Sequence, residues 1–121
     1  MPLRRIAIIG AGMSGLTAAR TLQAAGFDVR VFEKSRGCGG RMATRRASGY
    51  EFDHGAQFFT VRDQGFRDVV NTWVSEKVAE RWGGRFATLG DKRVGSEDFH
   101  SKEVVRYVGI PRMSSVARHL A

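Results

Sequence analysis

Apolar positions along this 121-residue chain fall into short blocks, and their period changes from block to block. Ile6-Ala7-Ile8-Ile9 is a continuous apolar run, the pattern of a buried parallel strand. Glycines at 10, 12 and 15 interrupt the chain next, and residues 16–22 then read as a helix that ends near Gly26. A second strand follows over residues 27–32, with Val29 and Val31 sharing one face. Tyr50 and Phe52 mark a short strand after a turn. Over residues 64–76 the period becomes helical: Phe66, Val69, Val70, Trp73 and Val74 recur at i, i+3, i+4, i+7 and i+8, with Asp63 placed as N-cap and Trp73 as a core residue. Residues 78–82 and 85–89 predict a hairpin around Gly83-Gly84, residues 90–103 a polar loop, 104–108 a strand and 114–121 a helix.

Strand, glycine turn, helix and strand make a βαβ opening with chemical content. Gly10-Ala11-Gly12-Met13-Ser14-Gly15 is a G-x-G-x-x-G pattern in its required setting, after a strand and at the start of a helix. Gly10 permits a tight turn. Gly12 lets main chain approach a pyrophosphate, and Gly15 lets helix and strand pack closely. The first N–H groups of the helix have no intrahelical partner and lie at the positive end of its dipole, so they suit a diphosphate. Glu33, at the end of the second strand and 18 residues beyond Gly15, stands where an acidic side chain meets an adenosine ribose. A carboxylate there accepts hydroxyl hydrogen bonds and repels a 2′-phosphate, which favours FAD or NAD over NADP. The competing reading is an ordinary βαβ unit with a surface Glu.

The next segment separates those two cofactors. Lys34-Ser35-Arg36-Gly37-Cys38-Gly39-Gly40-Arg41-Met42 places three glycines between two arginines. Arg36 and Arg41 are rigid multi-donor cations suited to phosphate oxygens, and glycines between them allow close main-chain approach. A second anion clamp so near the first fits a long, extended cofactor.

With these residues in view, the chain resembles the flavin-containing amine oxidoreductases of the two-dinucleotide-binding-domain group, which follow a G-x-G-x-x-G and a strand-end Glu with an R-x-G-G-R-type motif. Residues 33–46 and Phe52-Asp53-His54-Gly55-Ala56-Gln57-Phe58-Phe59-Thr60 resemble in particular the bacterial renalase-like branch. The resemblance implies an α/β, Rossmann-like FAD/NAD(P)-binding fold with a parallel sheet, then the start of a β-rich substrate domain. Residues 1–65 would form the FAD-binding region, and 66–121 the helix and hairpin that open the substrate domain. It implies that Gly10, Gly12, Met13, Ser14 and Gly15 surround the FAD diphosphate and that Glu33 and Lys34 sit at the adenosine ribose. Arg36, Gly40, Arg41 and Met42 would form the second clamp, with Gln57, Phe58 and Phe59 near the flavin. Core packing competes for Phe58 and Phe59. Neighbouring strand residues point to opposite faces, so at most one of the two faces the ring directly. The implied activity is FAD-dependent oxidation: hydride passes from an amine or a reduced nicotinamide-type substrate to flavin, and oxygen reoxidises it. No residue is assigned as a catalytic base, and oligomeric state is left open.

The remaining composition adjusts this reading. The chain is short for a complete flavoprotein of that group and stops within a predicted helix, so it is expected to be the N-terminal portion of a longer protein. The net charge of +8 raises nucleic-acid binding. Yet the basic residues cluster at the glycine motif, and the aromatic–basic interleaving of RNA-binding sheets is missing. A dinucleotide-binding module without flavin chemistry is the second alternative. Cys38 is the sole cysteine, which permits no intrachain disulfide and accords with a cytoplasmic location. His54 reads as a loop residue. No metal-ligand cluster and no apolar run of membrane-spanning length is present in the sequence.

Overall fold

The computed structural model describes residues 4–84 and 104–121. Strand β1 (Arg5–Ile9), helix α1 (Met13–Ala24) and strand β2 (Asp28–Phe32) form the expected βαβ opening. The strands pair in parallel, with Ile6 opposite Val29 and Ile8 opposite Val31. These four residues are partly buried on one face, whereas Ile9 and Phe32, paired on the other, are 83% and 53% exposed. The apolar run therefore alternates in burial: helix α1 covers one side of a two-stranded ribbon, and successive strand residues point to opposite sides. Gly26 follows the helix with φ +86°, the left-handed conformation that favours glycine just past a helix end.

A single 3-10 turn at Gly40–Met42 leads to the hairpin of β3 (Arg45–Ala47) and β4 (Tyr50–Phe52). Its two-residue connection, Ser48-Gly49, has positive φ at both positions, as a turn matched to strand twist requires. Next come β5 (Phe59–Thr60), α2 (Gln64–Ser75), β6 (Ala79–Arg81), β7 (Arg106–Gly109) and α3 (Ser114–Leu120). Asp63 caps α2 as its position predicted, its side chain accepting the Phe66 N–H at 2.9 Å. Strands β5, β7 and β6 form an antiparallel sheet in that order. The partner of the 78–82 strand among the described residues is thus β7, and the second arm of the expected 85–89 hairpin, with the 90–103 loop, lies outside them.

The main core gathers Val70 and Trp73 from α2, Ala79 from β6 and Val116 from α3, with Met13, Met42, Phe59, Phe66 and Tyr107 packed around them. A second cluster joins Ala11 and Leu16 to Ala117. The small side chains of Ala11 and Ala117 let α3 seat against the start of α1. Arg20 reinforces this contact by donating to the His119 carbonyl at 3.0 Å. Packing therefore links residues on both sides of position 65.

Candidate dinucleotide site

The glycine turn is held at both ends. Gly10 N–H donates to the Phe32 carbonyl at 2.7 Å, fixing the exit from β1 beside the end of β2. A Cβ built at Gly15 would lie 2.0 Å from the Gly10 carbonyl oxygen, so helix and strand can approach this closely only without a side chain there. At Gly12 the same construction meets nothing within 4 Å. Space over Gly12 is open, so its lack of a side chain is not required by packing within the chain.

Helix α1 begins beside that opening. Its N-cap is Gly12, with no side-chain cap, and its first turn carries no acidic residue. No acidic side chain of the helix itself neutralises its positive end, and no side chain caps it, so the N–H groups of the first turn can receive phosphate oxygens.

The second glycine segment packs against the first. Gly39 N–H donates to the Ala11 carbonyl at 2.8 Å, and a Cβ at Gly40 would come 3.5 Å from Gly12 Cα. Gly39 and Gly40 have φ of +123° and +54°. Arg36 and Arg41 are exposed, and Met42 reaches into the main core.

Glu33 has a role that spacing alone did not reveal. Its Oε2 accepts the Ala11 N–H at 2.7 Å, and its Oε1 accepts the Ser35 hydroxyl at 2.6 Å and the Ser35 N–H at 2.8 Å. The Ser35 hydroxyl foremost, then the Ser35 and Ala11 N–H groups, lower the carboxyl pKa from 4.5 to about 2. An ionised carboxylate offers about four acceptor positions, so these three hydrogen bonds do not use its full capacity. Lys34 beside it is exposed.

The three residues expected near a flavin separate. Phe59 enters the core, its ring stacked on Tyr107 at 5.7 Å and edge-on to Trp73 at 6.3 Å. Phe58 stands outward, partly exposed, with the Arg106 guanidinium 5.2 Å from its ring centre. Gln57 is exposed. Only Phe59 belongs to β5, where the sheet carries it into the core; Gln57 and Phe58 precede the strand.

Arg112 was not singled out in the sequence, yet it pairs with Glu51, which also pairs with Arg46 at 2.8 Å. Arg112 first, then Arg46, holds the Glu51 carboxyl below its usual range. This triad ties β3 and β4 to the loop before α3. Among the described residues, no three His, Cys, Asp or Glu side chains form a metal-binding group, and no helix is long and apolar enough to cross a membrane.

Residues 8–73 match the NAD(P)-binding Rossmann-like domain family. The chain belongs to that family. Among curated relatives, the zeta-carotene-forming phytoene desaturase of Myxococcus xanthus is 50% identical over 52 residues, 43% of this chain and 10% of the desaturase. The 4,4'-diapophytoene desaturase of Staphylococcus haemolyticus is 38% identical over 88 residues, 73% of this chain and 16% of that enzyme. Wild-type putrescine oxidase bound to putrescine superposes with a TM-score of 0.52 at 28% identity, over 78% of this chain and 23% of the oxidase. The chain thus spans less than a quarter of the length of each of these proteins.

Proposed function

We propose that this chain is the FAD-binding portion of an oxidoreductase. The observation that carries the reading is the meeting of two glycine loops, Gly10–Gly15 and Gly39–Arg41, beside the uncapped start of α1. A diphosphate in the open space over Gly12 would receive main-chain N–H groups from Met13, Ser14 and Gly15, with Gly10 shaping the turn. Glu33 would offer its remaining acceptor position to the adenosine ribose, with Lys34 alongside. Gly40 would admit the cofactor close to main chain, while Arg36 and Arg41 supply positive charge and Met42 anchors the turn.

Gln57 and Phe58 stand on the open side and would approach the flavin, with Phe59 supporting them from the core. Bound flavin would supply hydride acceptance from a reduced carbon centre and reoxidation by oxygen. The substrate class is an amine or a dihydronicotinamide, drawn from the amine-oxidoreductase and renalase-like resemblance, and the setting is the cytoplasm. Likeness to putrescine oxidase supports the amine. Residues 1–65 would be the cofactor region and 66–121 the opening of the substrate domain.

A plain NAD module is the second reading, since the matched family is described as NAD(P)-binding. The Arg36–Arg41 segment favours FAD, because an NAD module has no need of a second clamp. Equilibrium titration with FAD and with NAD, followed by flavin absorbance and calorimetry, tests the choice. Saturable FAD binding with weak NAD binding is expected; tight NAD binding without FAD uptake would reject the flavin reading.

A further inference from the structure

The turn that carries Arg41 is gripped from outside the glycine motifs. At one end, the Arg41 carbonyl accepts the Ala56 N–H at 2.9 Å, and a Cβ at Gly55 would lie only 2.1 Å from that oxygen. At the other end, Thr44 Oγ1 lies 2.6 Å from Asp53 Oδ1 and 3.0 Å from Ser114 Oγ. Thr44 has one hydroxyl proton, and the shorter contact is to the carboxylate, so Thr44 donates to Asp53 and receives from Ser114. Asp53 Oδ2 accepts the Met113 N–H at 3.1 Å, and the Ser114 N–H points to Thr44 Oγ1 at 3.4 Å. Met113 and Ser114 are buried, at 0% and 5% exposure, so this end of the grip is anchored in the core.

We propose that Asp53 is a positioning residue for the second cofactor loop, clasping Thr44 to the main chain before α3 and so setting where Arg41 stands relative to Gly12. The proposal rests on the reading of the two glycine loops as a dinucleotide cradle. Residues 53–56 hold residues 41–44 at both ends, as a bracket holds a short rod. Without the Asp53 carboxylate, the Met113 N–H and the Thr44 hydroxyl lose a shared partner, and the Gly39–Met42 turn keeps its bonds to Ala11 and Ala56 but loses the hold on the Thr44 that follows it. Asp53 touches no cofactor in this account. It acts through Thr44.

Two measurements on the full chain test this. Amide hydrogen exchange without cofactor reads the clasp: Asp53→Ala and Thr44→Val should speed exchange at Met42 and Ala43, whose N–H groups bond within the turn, and leave Leu16 in α1 unchanged. Thr44→Ser, which keeps the hydroxyl, should restore slow exchange. FAD titration reads the consequence: Asp53→Ala and Thr44→Val should each weaken binding by about tenfold. Combined with Arg41→Ala, either should cost less than the product of the separate losses. Unchanged exchange at Met42 and Ala43, full FAD affinity in both variants, or independent losses would each overturn the proposal. If Gly12→Ala and Arg41→Ala weaken FAD binding while Asp53→Ala does not, the cradle stands and only the clasp falls. A wild-type chain that takes up no FAD overturns both. Thr44→Val, nearly isosteric, keeps the test valid where Asp53→Ala unfolds the chain.

Discussion

The Ala11 N–H donates to Glu33 Oε2 at 2.7 Å, so the residue proposed to meet a ribose holds the first glycine turn against the end of β2. Ala11 is tied on both sides, because its carbonyl accepts the Gly39 N–H at 2.8 Å. One small residue thereby connects the first glycine turn, the end of β2 and the second glycine segment.

Glu33 should show this double role in its pH dependence. Its pKa in the folded chain, about 2, lies below the ordinary 4.5. A lowered folded value means the contribution is fully present above the ordinary value and is lost as pH falls toward about 2. Urea unfolding of wild type and Glu33→Gln across acid pH should show a constant difference at neutral and mildly acid pH that closes below pH 4.5. A difference that vanishes at neutral pH would show that the Ala11 and Ser35 hydrogen bonds do not stabilise the fold.

Two glycines of the same motif should fail in different ways. Gly15→Ala drives a Cβ into the Gly10 carbonyl, and the overlap should destabilise the chain by about 1–3 kcal/mol in chemical unfolding. Gly12→Ala meets open space and should unfold like wild type. Equal losses at both positions would contradict the packing role assigned to Gly15.

The strand–turn–helix–strand opening was legible because local rules and tertiary packing agree there. Apolar run, glycines and strand-end acid all report on one unit, and α2 was equally clear because its stripe and Asp63 cap coincide. Other features were hidden for physical reasons. Strand β3 begins with Arg45 and Arg46, whose charges give no strand pattern, and its hairpin is set by backbone conformation at Ser48 and Gly49. The exposure of Ile9 and Phe32 depends on what covers the ribbon, which an apolar run does not encode. The assembly of Asp53, Thr44 and Ser114 joins residues up to 70 positions apart, beyond any local signal.

Trp73 should be the most costly single truncation outside the glycine turns. It is 4% exposed and packs edge-on against Phe59 and Phe66. Trp73→Ala should cost about 3–5 kcal/mol in unfolding free energy. By comparison, Asp63→Ala removes one helix cap and should cost about 1 kcal/mol. A Trp73 loss no larger than that of the cap would show that the cluster is not the core.

Arg41 should act as a charge on the cofactor. Arg41→Ala should weaken FAD binding by about tenfold at low salt and reduce its dependence on ionic strength, since exposed charges are screened. Isothermal titration at several salt concentrations checks this, and an unchanged salt dependence would remove Arg41 from the clamp.

Titration of FAD into the wild-type chain and Gly12→Ala, with unfolding of both followed alongside, is the decisive measurement on the glycine cradle. Saturable binding by the wild type, lost in a variant of unchanged stability, is the predicted result, because only a ligand needs the space over Gly12. Equal FAD binding by the two chains, or none by the wild type, would contradict it.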